Sequence, residues 1–108
     1  MKSFKVRNFE IGKPGSVFLI AEIGINHGGS FENCKKLLTA AAKSGANAVK
    51  IQTIDVNESY LKNTSSYKEF LNKDFSIEEL YKLKKISNDL GVIFFSTPGD
   101  FKSLEKII

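Results

Sequence analysis

Three short apolar segments, separated by segments of helical periodicity, constrain the fold of this chain more than any other feature. They cover residues 17–23, 48–52 and 92–95. Nearly continuous apolar strands are typical of parallel sheets covered by helices, and their alternation with helices predicts right-handed crossovers. The sequence therefore predicts an α/β fold. Two architectures fit this pattern: an open doubly wound sheet and a (β/α)8 barrel, which when complete needs roughly 250 residues.

The first predicted helix begins after Ser30 and ends before Gly45. Serine is a favoured N-cap residue, and glycine is favoured just after the last turn of a helix. The apolar residues between them recur at helical spacing: Phe31, Cys34, Leu37, Leu38, Ala41 and Ala42. Because Cys34 falls within this stripe, we interpret it as a small core residue rather than a nucleophile.

Two later helices also have start signals. Ser76 and Glu79 match a capping box, and the helix that they begin is expected to end at Gly91. Asp100 predicts the cap of a last helix that starts at Phe101.

The remaining segments are less regular. The alternating residues 4–10 and the turn-like residues 12–15 predict a hairpin or short strand pair within residues 1–16. The polar segment 54–75 is a long loop, of the kind that is usually functional or mobile. We expect one short helix in it, around residues 66–71.

Composition excludes several classes of function. The 16 basic and 12 acidic residues give a net charge of +4, but no basic stripe with interleaved aromatics points to nucleic acid. The longest apolar run, residues 17–21, is far too short to span a membrane, and no signal peptide is evident. One cysteine and one histidine allow neither an internal disulfide nor a histidine-based metal site, and they favour a cytoplasmic setting.

Polar residues stand at the carboxyl end of every predicted strand. Glu22 ends the first strand, and Ser96 and Thr97 end the third. In the second strand, Lys50 and Gln52 share one face because side chains alternate along a strand. The carboxyl ends of parallel strands bind the ligand in both candidate architectures, so these residues are candidates for a site.

Glu22 and Lys50 have two compatible interpretations. Buried charges are costly unless they are paired or engaged by a substrate. The two residues could therefore form an ion pair that ties neighbouring strands together, and the same pair could position a substrate.

The loop after the first strand contains Asn26, His27, Gly28 and Gly29. Its glycines permit close backbone approach to a ligand, and the amides that start the next helix could face an anion. The spacing of these glycines does not match the dinucleotide-binding fingerprint G-x-G-x-x-G.

Three motifs together resemble the sialic acid (N-acetylneuraminate) synthase family. IAEIGINHGG at residues 20–29 is similar to its opening strand and loop, GANAVKIQT at residues 45–53 to its second strand, and FSTP at residues 95–98 to the end of its third. The motifs occur in the family's order and cover about residues 17–108.

The resemblance implies the amino-terminal part of a TIM barrel, with a hairpin at residues 1–16 and an incomplete (β/α)8 barrel of three βα units at 17–108. It implies condensation of phosphoenolpyruvate with the open-chain aldehyde of an N-acetylated hexosamine, which forms a nine-carbon 2-keto acid and phosphate. A divalent metal, Mn²⁺ or Mg²⁺, would polarise the aldehyde. The complete family protein is a homodimer, and an antifreeze-like domain follows its barrel.

The resemblance also implies residue roles at the strand ends. Glu22 resembles the glutamate that contacts the amino sugar and handles a proton, and Gln52 resembles a sugar contact beside it. Lys50 is similar to the lysine near the phosphoenolpyruvate anion. Thr97 resembles a phosphate-binding hydroxyl, with Ser96 as its neighbour.

Three loop residues complete the implied site. Asn63, in the long loop, resembles another sugar contact, while Asn26 and His27 resemble residues that shape the loop or lie near the sugar. The family's metal-binding histidines come from later strands, so the resemblance implies no metal ligand in these residues and an inactive isolated chain. The alternative function is a non-enzymatic remnant that binds a phosphorylated ligand or an assembly partner. Sialic, legionaminic and pseudaminic acid synthases and a spore-coat polysaccharide homologue share these motifs.

Overall fold

The computed structural model describes residues 2–108 as a three-stranded parallel sheet, helices and a separate hairpin. The elements are β1 (Phe4–Val6), β2 (Phe9–Ile11), β3 (Ile20–Gly24), α1 (Phe31–Lys43), β4 (Ala48–Thr53), α2 (Val56–Ser59), α3 (Ser65–Phe70), α4 (Ile77–Asp89), β5 (Ile93–Pro98) and α5 (Phe101–Ile107). The α/β prediction is confirmed. No helix in residues 2–108 is long and apolar enough to cross a membrane.

The strand order in the parallel sheet is β3-β4-β5. The largest differences from the predicted strands are at two boundaries, and the other ends agree to within one residue. β3 begins at Ile20 rather than Val17, whose side chain is 77% exposed. β5 continues through Pro98 instead of ending at Phe95, because backbone pairing with β4 extends past the apolar residues. The hydrophobic runs therefore overestimate β3 at its amino end and underestimate β5 at its carboxyl end.

The helices α1 and α4 cover one face of the sheet. The core beneath them contains residues from both helices and from all three strands or their flanks: Ile23, Cys34, Leu38, Val49, Ile51, Phe75, Leu83 and Val92. Val49 and Ile51 point into this core, so Lys50 and Gln52 point to the opposite face.

The predicted caps are present. The Ser30 side chain accepts the Asn33 backbone N–H, and Ser76 and Glu79 form a reciprocal capping box. Cys34 is fully buried, as expected for a core residue. Burial raises the pKa of its thiol to about 11, so the thiol stays protonated at neutral pH.

The amino-terminal hairpin is confirmed, and its strands are joined by a turn at Arg7 and Asn8. The predicted turn within residues 12–15 is also present, where the Ser16 backbone N–H donates to the Lys13 carbonyl at 3.2 Å, but it follows the hairpin instead of joining its strands. Arg7 has a φ of 51°, a conformation that arginine does not signal in the sequence. The Arg7 guanidinium donates to the Asn88 side chain at 3.2 Å, which links the hairpin to α4. The short helix α2, which was not predicted, begins at the Asp55 cap.

Candidate functional site

Four polar side chains from the three parallel strands meet on the face opposite the helices. They are Glu22 of β3, Lys50 and Gln52 of β4, and Thr97 of β5. Glu22 lies beside Lys50 in the strand register, and Gln52 lies beside Thr97. We call these residues the polar cluster. They lie at the carboxyl end of the sheet, where parallel α/β folds bind ligands.

Lys50 is the centre of the polar cluster. Its Nζ lies 2.6 Å from Glu22 Oε2 and donates to Thr97 Oγ1 at 2.8 Å. An ammonium has three donors, so one N–H remains for a ligand. Because Thr97 accepts from Lys50, its own O–H is free to donate. The Lys50 side chain is 21% exposed and that of Glu22 is 49% exposed, which leaves the pair accessible from solvent.

Gly24 leaves space beside the other half of the cluster. A Cβ at this position would lie 3.3 Å from Glu22 Oε1 and 3.6 Å from Gln52 Oε1. The φ of Gly24 is +61°, and the strand pairing is irregular between Glu22 and Gly24. The irregularity and the missing side chain together keep the carboxylate and the amide open to a ligand that carries hydroxyl groups.

The structure separates Ser96 from the other candidate residues. Ser96 lies on the helix-facing side of β5, where its hydroxyl bonds to Thr53 Oγ1 at 2.6 Å and donates to the Ile51 carbonyl at 3.3 Å. Adjacent residues of a strand point to opposite faces. Ser96 and Thr97 therefore do not form one phosphate site, and Ser96 instead ties β5 to β4.

Two of the loop residues lie outside the polar cluster. Asn63 is in the exposed turn before α3, and no side-chain hydrogen bond in residues 2–108 connects it to the cluster. Asn26 is exposed, and its amide donates to the Ile23 carbonyl at 2.8 Å. The geometry at Asn26 fits a role in shaping the loop.

His27 is fully buried against Phe75, with ring centroids 4.5 Å apart. Its Nδ1 accepts the Gly29 backbone N–H at 2.9 Å. A neutral imidazole with an acceptor at Nδ1 carries its proton on Nε2, and within residues 2–108 this buried Nε2 has no hydrogen-bond partner. His27 therefore holds the loop from inside and presents no ring atom to a ligand.

Acid is expected to destabilise the fold through His27. Burial lowers the pKa of His27 below its usual 6.5, Asp74 opposes this change and Lys73 adds to it. The unfolded chain therefore binds a proton before the folded chain does. The His27 contribution to stability is complete above about pH 6.5 and is lost as the pH falls from there to the folded pKa.

NMR of the imidazole measures this effect directly, since His27 is the one histidine of the sequence. We expect the Nε2–H tautomer and a midpoint below 6.5. A midpoint at or above that value, or an Nδ1–H tautomer, would contradict the assignment. Urea unfolding of the wild type and of a His27→Leu variant at several pH values isolates the part of the pH dependence of the unfolding free energy that is due to His27.

No group of three or more His, Cys, Asp or Glu side chains in residues 2–108 is arranged to hold a metal ion. The polar cluster contributes a single carboxylate, and Lys50 already binds it. The described residues therefore do not fit a metal centre, and we derive no chemical step through one.

Sequence reasoning identified the polar cluster but missed the residues that support it. Asp100 was recognised only as a helix cap, whereas its carboxylate also binds the backbone of Asp55. Phe75 covers His27, and nothing in the surrounding polar segment signals this contact. The acidic residues Asp55 and Asp100 each stand three positions after a cluster residue, which is the signal that could have revealed them.

Comparisons with known proteins identify relatives. The NeuB family model matches residues 37–108. The chain is 42% identical to the spore coat polysaccharide biosynthesis protein SpsE of Bacillus subtilis, over 99% of this chain and 32% of the relative. It is 36% identical to the N,N'-diacetyllegionaminic acid synthase of Legionella pneumophila, over 90% of this chain and 31% of the relative.

The structural comparison agrees. The N-acetylneuraminic acid (sialic acid) synthetase of Leptospira borgpetersenii superposes with a TM-score of 0.89 and 31% identity, over 98% of this chain and 37% of that chain. The chain thus spans 31% to 32% of the length of the two curated relatives named above. With the family match and the structural similarity in agreement, the chain belongs to the NeuB family.

Proposed function

We propose that the protein is a nonulosonic acid synthase. It condenses phosphoenolpyruvate with an N-acetylated hexosamine such as N-acetylmannosamine, and it releases phosphate and a nine-carbon 2-keto sugar acid. The observation that carries this proposal is the contact of Lys50 with both Glu22 and Thr97 at the open end of the sheet in a NeuB chain. An ammonium and a hydroxyl beside a carboxylate support the proposal, because they suit a reaction between an anion and a sugar that carries hydroxyl groups.

Lys50 and Thr97 form the half of the proposed site that binds phosphoenolpyruvate. The remaining ammonium N–H and the free threonine O–H both donate, and charge-assisted hydrogen bonds to a phosphate or carboxylate are the strong ones. Glu22 partly neutralises the lysine while the site is empty.

Glu22 and Gln52 form the half that binds the sugar. A carboxylate accepts hydrogen bonds from hydroxyl groups, and an amide both donates and accepts. Glu22 is also placed to exchange a proton with a sugar hydroxyl. Asn63 belongs to this half only if the long loop brings its side chain toward the sugar, and Asn26 and His27 shape the loop behind it.

We further propose that the sheet is the first part of a (β/α)8 barrel that begins at residue 17, after the amino-terminal hairpin. Helices α1 and α4 cover the same face of the sheet, whereas a doubly wound sheet carries helices on both faces. The opposite face exposes Ile20 and Phe95 below the polar cluster, with 51% and 38% of their surface accessible. A barrel interior, which is filled with side chains, accounts for this apolar surface.

Several properties of the whole protein are part of the proposal. These are a requirement for Mn²⁺ or Mg²⁺, with ligands that this chain does not contain, a homodimeric assembly, a cytoplasmic location and the absence of nucleic-acid or membrane partners. The names of the relatives favour sialic or legionaminic acid as the product class.

A phosphate-release assay tests the proposed function in the protein at its natural length. We expect release only when phosphoenolpyruvate and a suitable N-acetylated hexosamine are both present, with loss on chelation and recovery with Mn²⁺. Release from phosphoenolpyruvate alone would contradict the proposal. Binding of phosphoenolpyruvate without release for any N-acetylated hexosamine would favour a non-catalytic protein that binds phosphorylated ligands.

The variant Glu22→Gln is expected to keep the fold and lower kcat about 100-fold or more, the usual scale for general acid–base groups. The lost ion pair is half-exposed and contributes at most about 1 kcal/mol to stability. Glu69→Gln is the matched control, because Glu69 forms an ion pair with Lys73 at 3.0 Å outside the polar cluster. Normal turnover of Glu22→Gln would show that the Glu22–Lys50 pair has only a structural role.

A further inference from the structure

The side chain of Asp100 joins the loops that follow β4 and β5. Its Oδ2 accepts hydrogen bonds from the Asp55 backbone N–H at 2.8 Å and from the Ser59 hydroxyl at 3.0 Å. Its Oδ1 accepts the Ser103 backbone N–H at 2.7 Å. The hydroxyl of Ser103, which is buried, donates to Oδ2 at 3.1 Å. The Asp55 backbone N–H also donates to the Ser103 hydroxyl at 3.0 Å, and Lys102 pairs with the Asp55 carboxylate at 2.7 Å. The Asp100 carboxylate and these two contacts together hold the start of α2 against the start of α5.

This junction lies directly beyond the polar cluster. Asp55 follows Gln52 by three residues, and Asp100 follows Thr97 by three. Gln52 and Thr97 are register partners, and the Gly99 backbone N–H donates to the Thr53 carbonyl at 2.9 Å. The pairing of β4 with β5, which brings Gln52 and Thr97 side by side, thus continues through Gly99 to the residue next to it, Asp100.

The junction is built for an ionised carboxylate. Burial by itself raises the pKa of Asp100, but the hydrogen bonds from Ser103, Asp55 and Ser59 outweigh it and hold the pKa below its ordinary value. All of these partners donate to the carboxylate. An amide NH2 group in the place of Oδ2 would direct its N–H groups at the N–H and O–H groups that now donate to this oxygen, and neither side could accept.

We propose that Asp100 is a positioning residue, which sets the placement of Thr97 and Gln52 toward the two substrates without touching either substrate. This inference rests on the proposed function. A misplacement of about 1 Å in a group that orients a substrate costs about 100-fold in rate, and the turn between Thr97 and Asp100 is short enough to transmit such a shift. Capping of α5 is a separate role of the same side chain.

The variant Asp100→Ser separates these two roles. Serine is a good N-cap and retains an acceptor for the Ser103 N–H, but it is too short to keep the bonds to Asp55 and Ser59. Asp89→Ser is the matched control, since Asp89 is exposed and pairs only with Lys85, at 3.4 Å, among the described residues. The assay compares kcat and KM for phosphoenolpyruvate in the protein at its natural length, together with the NMR amide shifts of Gln52 and Thr97.

We expect Asp100→Ser to stay folded, to lower kcat/KM about 10-fold or more, and to move both amide shifts, while Asp89→Ser stays within about twofold of the wild type. A folded Asp100→Ser variant with the same kcat/KM as the wild type would overturn the positioning role. If the wild type neither binds phosphoenolpyruvate nor releases phosphate, the proposed function is wrong, and this inference is wrong as well because it rests on that function. Should Asp100→Ser not fold, Ser59→Ala removes one bridging bond alone, and an unchanged kcat/KM there would overturn the inference.

Discussion

Replacement of Lys50 by alanine is expected to raise the KM for phosphoenolpyruvate roughly 10- to 100-fold. A hydrogen bond to a charged group contributes about 1.5–3 kcal/mol, and each 1.4 kcal/mol is about tenfold in affinity. Lys50 contacts both Glu22 and Thr97, so its removal also leaves the Thr97 hydroxyl without the group that orients it. Steady-state kinetics with each substrate varied in turn, together with calorimetric binding of phosphoenolpyruvate, measure the effect.

Lys73→Ala is the matched control for this experiment. Its side chain is 24% exposed, against 21% for Lys50, and it also forms an ion pair, with Glu69. Lys73 lies outside the polar cluster, so its removal is expected to leave both KM values nearly unchanged. A Lys50→Ala variant with the same KM for phosphoenolpyruvate as the wild type would refute the assignment. If only the KM for the sugar increased, Lys50 would be assigned to the half of the site that binds the sugar.

Replacement of Gly29 by alanine is expected to destabilise the fold by more than about 3 kcal/mol, a large part of the total stability of a small domain. A Cβ at Gly29 would lie 2.3 Å from the backbone carbonyl oxygen of Asn72. Neither this carbonyl nor the loop can move freely, since His27 of the same loop packs on Phe75. The φ of +79° adds about 1–2 kcal/mol of backbone strain for any residue with a Cβ.

Gly28→Ala separates the steric clash from the backbone strain. Gly28 has a φ of +64°, but nothing lies within 4 Å of its ideal Cβ. This control is therefore expected to lose only about 1–2 kcal/mol. Urea unfolding followed by circular dichroism compares the two variants. Equal destabilisation of both would show that the contact between Gly29 and Asn72 is not tight in solution.

Most of the elements were predictable because their signals are local. Ser30 and Ser76 begin helices that bury one apolar stripe, and these caps and periodicities act within a few residues. The hairpin turn at Arg7 and the helix after Asp55 were missed. Neither carries a glycine or proline signal, and α2 has four residues with only the Asp55 cap to mark its start.

The candidate site was predictable in part. Alternation along β4 identified the face shared by Lys50 and Gln52, and parallel pairing brought Glu22 and Thr97 to it. The sequence suggests the same role for Ser96 and Thr97 because the apolar run ends at Phe95. The run gives no sign that β5 continues through both residues. Once the strand includes both residues, alternation places them on opposite faces.

The sequence by itself determined the order of strands and helices, the faces of the strands and the family motifs, since these depend on spacing along the chain. The structure confirmed the ion pair of Lys50 with Glu22, at 2.6 Å, that the sequence had allowed. Tertiary structure alone decided the burial of His27 beneath Phe75 and the bridge from Asp100 to Asp55. These three contacts join residues that are 28 to 48 positions apart. Local propensities do not encode contacts between residues so far apart in the chain. Such contacts form only when burial of the shared core brings the loops together.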